Sequence, residues 1–179
     1  MRATLVEKDL GQPVQSEAER LDPSEFGLLY ERHRLSVYRY LRARTHSDAD
    51  ALDLAAETFE RAFTGLGRFR RRDGGVQAWL LRIARNAAID AHRRHRPTVD
   101  LAGADAHLGR VAVEADRRDQ ASAEILDLVG RLPADQQDAL LLRYAGGLTA
   151  KEIGFVIGKR EDAVQKQIER GLAALREAF

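Results

Sequence analysis

Apolar residues recur every three or four positions along most of this chain, and no segment alternates with a period of two. That pattern predicts helices and no strands. Phe26, Leu29, Tyr30, His33, Val37, Tyr40 and Leu41 form a first stripe, opened by Asp22-Pro23-Ser24-Glu25. There Asp22 can act as N-cap, Pro23 suits the first helical position and Glu25 suits the first turn. A second helix is predicted from Ser47-Asp48-Ala49-Asp50, with Leu52, Ala55, Phe59, Phe63 and Leu66 as its apolar stripe. Gly65, Gly67 and the stretch Arg70-Arg71-Arg72-Asp73-Gly74-Gly75 predict a loop. A third helix is expected from about Val76 to His95, with Trp79, Leu80, Ile83, Ala87 and Ala91 inward and Pro97 ending it.

Beyond Pro97 the periodicity lapses into an Ala-, Gly- and Asp-rich stretch to about Arg117, read as a linker. Four further helices are expected: about Asp119 to Gly130; from Pro133 to just before Gly146-Gly147; a short one opened by the capping box Thr149-Ala150-Lys151-Glu152; and about Arg160 to Ala178. The predicted class is all-α. Two small helical domains are joined by a flexible linker, and the C-terminal one is a helix-turn-helix. The expected organisation is a polar tail (1–25), a first domain (26–96), the linker (97–118) and a second domain (119–179).

Composition narrows the possibilities. Hydrophobic residues make up 44% and charged residues 32%, enough for a packed core under a polar surface. There are no cysteines, which excludes disulfides and thiolate metal sites in this chain. No apolar run approaches the ~20 residues needed to cross a bilayer, and Met1 to Leu21 has no apolar signal core. These features predict a cytoplasmic protein without membrane insertion.

The net charge of +1 conceals blocks of one sign. Phe26 to Ser47 carries five Arg and one Glu, whereas Asp48 to Arg61 carries five acids and one Arg. Ala62 to Leu81 then has four Arg and one Asp, and Arg82 to Arg96 five Arg and one Asp. Such a basic block reads as a footprint for a polyanion, with the acidic patch reserved for another contact.

Three candidate sites follow, each with a plainer alternative. In the C-terminal helix-turn-helix, Ile153, Val156 and Ile157 would pack on Val164, Ile168, Leu172 and Leu175, leaving Arg160, Gln165, Lys166, Gln167 and Arg170 to face DNA. A helical hairpin with a solvated face is the alternative. In the third helix Arg82, Arg85, Asn86, Arg93 and Arg96 fall near one face, close in sequence to Phe69 and Trp79. Basic and aromatic residues together suit a single or opening strand, although Trp79 itself reads as core. Asp50, Asp53 and Glu57 share one face of the second helix. A protein contact, a metal site and a solvated face all remain open for them. His92 and His95 could ligate a metal or support phosphate contact. No phosphate loop, HExxH or GxSxG motif is present, so catalysis has no visible apparatus and no cofactor is expected.

Asp53-Leu54-Ala55-Ala56-Glu57-Thr58-Phe59, followed by Ala78-Trp79-Leu80-Leu81-Arg82-Ile83-Ala84-Arg85-Asn86 and Asp90, resembles region two of extracytoplasmic-function (ECF) sigma factors. Leu132-Pro133, Gly146-Gly147-Leu148-Thr149, Glu152-Ile153, and Val164 with Ile168, Arg170 and Leu175 resemble their region four. The resemblance implies a factor that directs core RNA polymerase to promoters and helps open them, with an anti-sigma factor among its candidate partners. It implies polymerase docking by Asp50, Asp53, Leu54 and Glu57, and minus-ten capture by Arg82, Arg85, Asn86 and Arg93. Promoter DNA at the minus-thirty-five element would be read by Arg160, Gln165, Lys166, Gln167 and Arg170. Two departures stand out: Ala56 where the family often has Gln, and Lys159-Arg160-Glu161-Asp162-Ala163 at the turn into the last helix. The competing readings are a stand-alone helix-turn-helix regulator with a helical sensory domain, and a helical enzyme using the three acids as metal ligands.

Overall fold

The computed structural model describes residues 21, 23–45, 47–69, 74–95 and 117–178. The polar tail, the Asp22 cap, His46, Arg70 to Asp73, Arg96 and the linker up to residue 116 lie outside the described residues. Every secondary-structure element among the described residues is a helix. After a single 3-10 turn at Pro23–Glu25 come α1 (Phe26–Arg42), α2 (Asp48–Gly65), α3 (Gly75–His95), α4 (Arg117–Gly130), α5 (Ala134–Tyr144), α6 (Ala150–Ile157) and α7 (Glu161–Glu177). A short 3-10 turn, Leu66–Arg68, extends α2.

Helix starts follow their caps. The Ser47 hydroxyl accepts the Asp50 amide at 3.1 Å. At α6 the Glu152 amide donates to the Thr149 hydroxyl at 3.3 Å, and the Thr149 amide donates to the Glu152 carboxylate at 2.8 Å. This closes the capping box read from the sequence. Pro133 is the N-cap of α5 rather than its first residue, and α4 begins at Arg117, two residues earlier than expected.

Helices α1, α2 and α3 pack as one bundle and α5, α6 and α7 as a second, with α4 against α5 and α7. Tyr40, Leu41, Phe69, Leu80 and Leu81 are fully buried in the first, and Leu142, Leu148, Ile153 and Val164 in the second. Each buried Leu contributes about 1.5–3 kcal/mol. The two bundles do not stand apart: α3 lies against α6, and one hydrophobic cluster runs through both.

Three inward assignments change: Tyr30, on the predicted stripe of α1, is 42% exposed, with one edge of its ring against Phe59. Leu52 and Phe63, placed on the apolar stripe of α2, are 58% and 51% exposed. The buried face runs through Ala51, Leu54, Ala55, Thr58, Phe59 and Ala62, about one residue's rotation away. Phe63 covers only the edge of Phe26, their ring centroids 5.1 Å apart. On α3 the buried set includes Leu81, Ala84 and Ala88 besides the expected Trp79, Leu80 and Ala87. The helix is covered on two sides, which widens its apolar arc beyond a one-sided stripe.

Candidate polymerase and nucleic-acid surfaces

The acidic residues of α2 line a cleft of about 420 Å³ between α2 and α3. Asp50, Asp53 and Glu57 share its walls with Arg44, His92 and Arg94, and buried Leu54 forms part of its lining. Leu54 is buried at the cleft, whereas Asp50 and Asp53 are exposed. Asp50 accepts from the Ser47 hydroxyl at 2.8 Å. Glu57 is half-buried and held by Arg61 at 2.5 Å, with Arg94 at 4.0 Å. Asp53 has no ion pair among the described residues, which leaves it the most available charge on this face. Among the described residues no group of three or more His, Asp or Glu side chains converges on a point that could hold a metal ion.

The basic face of α3 divides in two. Asn86 and Arg93 are exposed. Arg82 and Arg85 are half-buried and engaged by the second bundle. The Arg82 guanidinium lies over the Phe155 ring at 4.5 Å, and Arg85 donates to Asp138 at 2.6 and 2.8 Å. Asp138 also pairs with Arg44, whose side chain is 1% exposed. Trp79 is core, its ring centroid 5.0 Å from that of buried Phe69.

Asp138 is the most constrained charge in the described chain. Burial alone raises its pKa, but Arg44 and then Arg85 outweigh burial and hold the carboxyl below its ordinary value of 3.8. A carboxyl depressed on folding stabilises above its unfolded pKa, and the contribution is lost as pH falls through the folded value. Asp138→Asn is therefore expected to melt lower than the parent at pH 7, where removing one partner of a buried pair costs on the order of 3–5 kcal/mol. The gap should begin to close as pH falls below about 4, and close fully only once pH is below the depressed folded value. Melting curves across that range test this, and a gap that stays constant with pH would refute it.

The helix-turn-helix is fixed by its turn. Gly158 takes the left-handed conformation (φ 71°), and its amide and that of Lys159 both close on the Gly154 carbonyl. Val164 is fully buried against α6, with Ile168 and Leu175 partly buried. Arg160, Gln165, Lys166 and Arg170 are exposed, as expected for a DNA-facing set. Gln167 is not among them. It turns toward α5, where its amide donates to Asp135 at 3.3 Å beside Lys159, which pairs with the same carboxylate. It lies two residues from Gln165 and three from Val164, on the flank that meets α5. Arg44 and Asp138 were not singled out from the sequence. The one available signal was an acid directly before the apolar run Ala139 to Leu142, on a face that must be buried.

No helix among the described residues is long and apolar enough to cross a membrane. Family models for Sigma-70 region 2 and Sigma-70 region 4 match residues 29–98 and 122–175. The chain is 34% identical to the ECF RNA polymerase sigma factor SigD of Mycobacterium tuberculosis, over 92% of this chain and 81% of that one. It is also 34% identical to the ECF RNA polymerase sigma factor BldN of Streptomyces coelicolor, over 84% of this chain, but spans only 58% of BldN. Among solved structures, CnrH in complex with the cytosolic domain of CnrY shares the fold, with TM-score 0.66 and 23% identity over 88% of each chain. So does RpoE of Bartonella quintana in complex with the anti-sigma factor NepR, with TM-score 0.64 and 19% identity over 86% of this chain and 96% of that one. With both regions matched in order and SigD aligned over 92% of this chain, the chain belongs to the ECF RNA polymerase sigma factors.

Proposed function

We propose that this chain directs core RNA polymerase to specific promoters and helps open them, acting in the cytoplasm as a binding subunit with no catalytic step of its own. The observation that carries this is the ordered pair of sigma regions on one chain. A stand-alone regulator needs the helix-turn-helix but has no use for a region 2. Within this reading Asp50, Asp53 and Glu57 offer a negative rim to a basic surface of the polymerase, with Leu54 behind them. The start of α7 is presented to duplex DNA, as a helix-turn-helix delivers it to the major groove. Its set is Arg160, Gln165, Lys166 and Arg170, with Gln167 supporting the helix from behind. Glu161 and Asp162 suit the positive end of the helix dipole but oppose a phosphate, so they steer where the helix docks. The basic face of α3 handles the opening strand. An anti-sigma partner belongs to the same proposal, since CnrH and RpoE were each solved with a protein bound.

Transcription in vitro from a promoter library, with purified core polymerase, tests the function directly; no promoter-dependent transcript over core alone would refute it. The two DNA surfaces should fail differently. Lys166→Ala is expected to weaken closed-complex binding several-fold and to flatten its salt dependence by about one unit of slope, for one lost contact. Asn86→Ala should leave closed-complex binding unchanged and reduce promoter opening. Salt-dependent binding and permanganate footprinting separate the two steps. Normal opening with Asn86→Ala, together with an opening-only defect in Lys166→Ala, would reverse the assignment.

A further inference from the structure

Helix α7 turns a mixed face to solvent. Asp162, Gln165, Lys166 and Glu169 are exposed at the i, i+3, i+4, i+7 spacing of one helix face, and Val164 and Gly171 are buried on the other. At about 100° per residue, Glu169 projects between Gln165 and Lys166, one turn further along the helix. Its carboxylate is exposed and has no ion pair among the described residues, although Lys166 stands three positions before it. The acids at the head of α7 have local roles. Glu161 and Asp162 lie in the first turn, where the helix dipole favours them, and Asp162 also pairs with Arg160 at 3.3 Å. Glu169 sits in the middle of α7, beyond the reach of that dipole, and has no cap to serve there.

An acid at this place opposes phosphate and suits one base. Phosphate contacts position a helix-turn-helix, whereas base-edge contacts specify its sequence. In the major groove guanine shows N7 and O6 and thymine shows O4, all acceptors that a carboxylate cannot bond. Adenine offers its N6 amino group beside the N7 acceptor, which repels a carboxylate. Cytosine offers its N4 amino group without an acceptor of its own beside it, and is the base from which Glu and Asp accept. We propose that Glu169 selects a cytosine in the minus-thirty-five duplex by accepting a hydrogen bond from its N4 amino group, and so fixes one base pair of the promoter preference. The inference rests on the reading of α7 as the duplex-reading helix. Lys166 and Arg170, on either side of Glu169 in the chain and both exposed, offset its repulsion from phosphate. The acid therefore costs little affinity where cytosine meets it and more where another base does, and a penalty on the wrong base is specificity. Gln167, turned to Asp135 on the flank that meets α5, takes no part.

The test assembles holoenzyme from the full chain and core polymerase, selects bound duplexes from a library randomised across the minus-thirty-five region, and sequences them. The parent is expected to enrich C at one position by about tenfold over the other bases, the discrimination that one base-edge contact supplies. Glu169→Ala should flatten that position and leave the others as they were. Glu169→Gln should move it from C to A, because a Gln amide pairs bidentately with adenine N6 and N7. Both variants should melt near the parent, as for most exposed substitutions. Glu124→Ala, which removes an exposed acid from α4, should leave the whole profile unchanged; an equal change there would reduce the effect to general charge and overturn the inference. A parent profile with no C position, or a C position that survives in both Glu169 variants, would also overturn it. Lys166→Ala tells that failure from a failure of the wider reading. If it still weakens duplex binding, α7 remains the reading helix and only the role of Glu169 is lost. If it too changes nothing, α7 does not meet the duplex and both readings fall.

Discussion

Gly154→Val is expected to collapse the helix-turn-helix and abolish duplex binding. A Cβ at Gly154 would stand 2.5 Å from the Lys159 carbonyl oxygen. That obstacle is backbone, and no rotamer relieves it. The same Gly154 carbonyl accepts the amides of Gly158 and Lys159 that close the turn, so displacing Lys159 to make room costs these bonds as well. Overpacking of this kind costs about 3 kcal/mol, which in a chain of this size lowers the melting temperature by about 6–12 °C. Gly154→Ala should show most of the same loss. Gly27→Ala is the control: it is exposed near the start of α1, nothing lies within 4 Å of its added Cβ, and alanine is the better helix former by about 1 kcal/mol. Calorimetry together with duplex binding by the full chain measures both effects. A Gly154→Val protein that melts like the parent and binds duplex would show that the turn can relax, and the rigid-turn account would fail.

What the sequence disclosed, and what it did not, divides along the range of the interaction. Helix starts at Ser47 and Thr149 were legible because a cap and its partner lie three residues apart. The inward set Ile153, Val156 and Val164 was legible because a one-sided stripe has a single phase. Leu52 and Phe63 were misplaced for a related reason. They continue the apolar pattern of α2, but the phase of burial is set by α1 and α3; Leu52 stays exposed and Phe63 meets only Phe26 at the start of α1. The union of the two bundles was not legible at all. Arg44 and Asp138 stand 94 residues apart, and in its own segment Arg44 is one of five similar arginines. Leu81 and Gly146 gave no warning either, since their fit depends on a tertiary approach. Of the candidate residues, Asp50 and Asp53 on α2, the α7 cap Arg160, and Gln165, Lys166 and Arg170 on α7 are exposed, as the sequence pattern predicts. Gln167 falls outside the apolar set of α7 and so reads as outward, but a helix turns about 100° per residue and carries it to the flank facing α5. Arg82 and Arg85 share one face of α3, but the sequence could not show that Phe155 and Asp138 of the second bundle already contact them.

Reversing the charge on the acidic rim should cost the protein its polymerase. Asp53→Arg is the cleaner of two tests, because Asp53 is exposed and has no ion pair among the described residues, so the substitution removes no internal contact. Its melting temperature should stay close to the parent's, as for most surface changes. Affinity for core polymerase is expected to fall about tenfold or more, equivalent to about 1.4 kcal/mol, with slower association and an altered salt dependence. Glu57→Arg should lose at least as much, for two reasons that can be told apart. It reverses a rim charge, and it sets a guanidinium beside Arg61 and Arg94, which now hold Glu57 at 2.5 and 4.0 Å. The second effect acts on the free chain and lowers its melting temperature, whereas the first is invisible until polymerase is added. Glu57→Gln isolates them: it removes the charge without the repulsion and should fall between parent and Glu57→Arg in affinity, with a smaller loss of stability. Rim charges act mainly through long-range steering, so the deficit of Asp53→Arg should shrink as salt is raised. If Asp53→Arg bound core polymerase like the parent at low salt, where the effect is largest, the α2 cleft would not be the docking surface. The polymerase would then have to be sought at another exposed face of the first bundle, with Leu28 and Leu35 on α1, 76% and 51% exposed, as the first apolar positions to substitute.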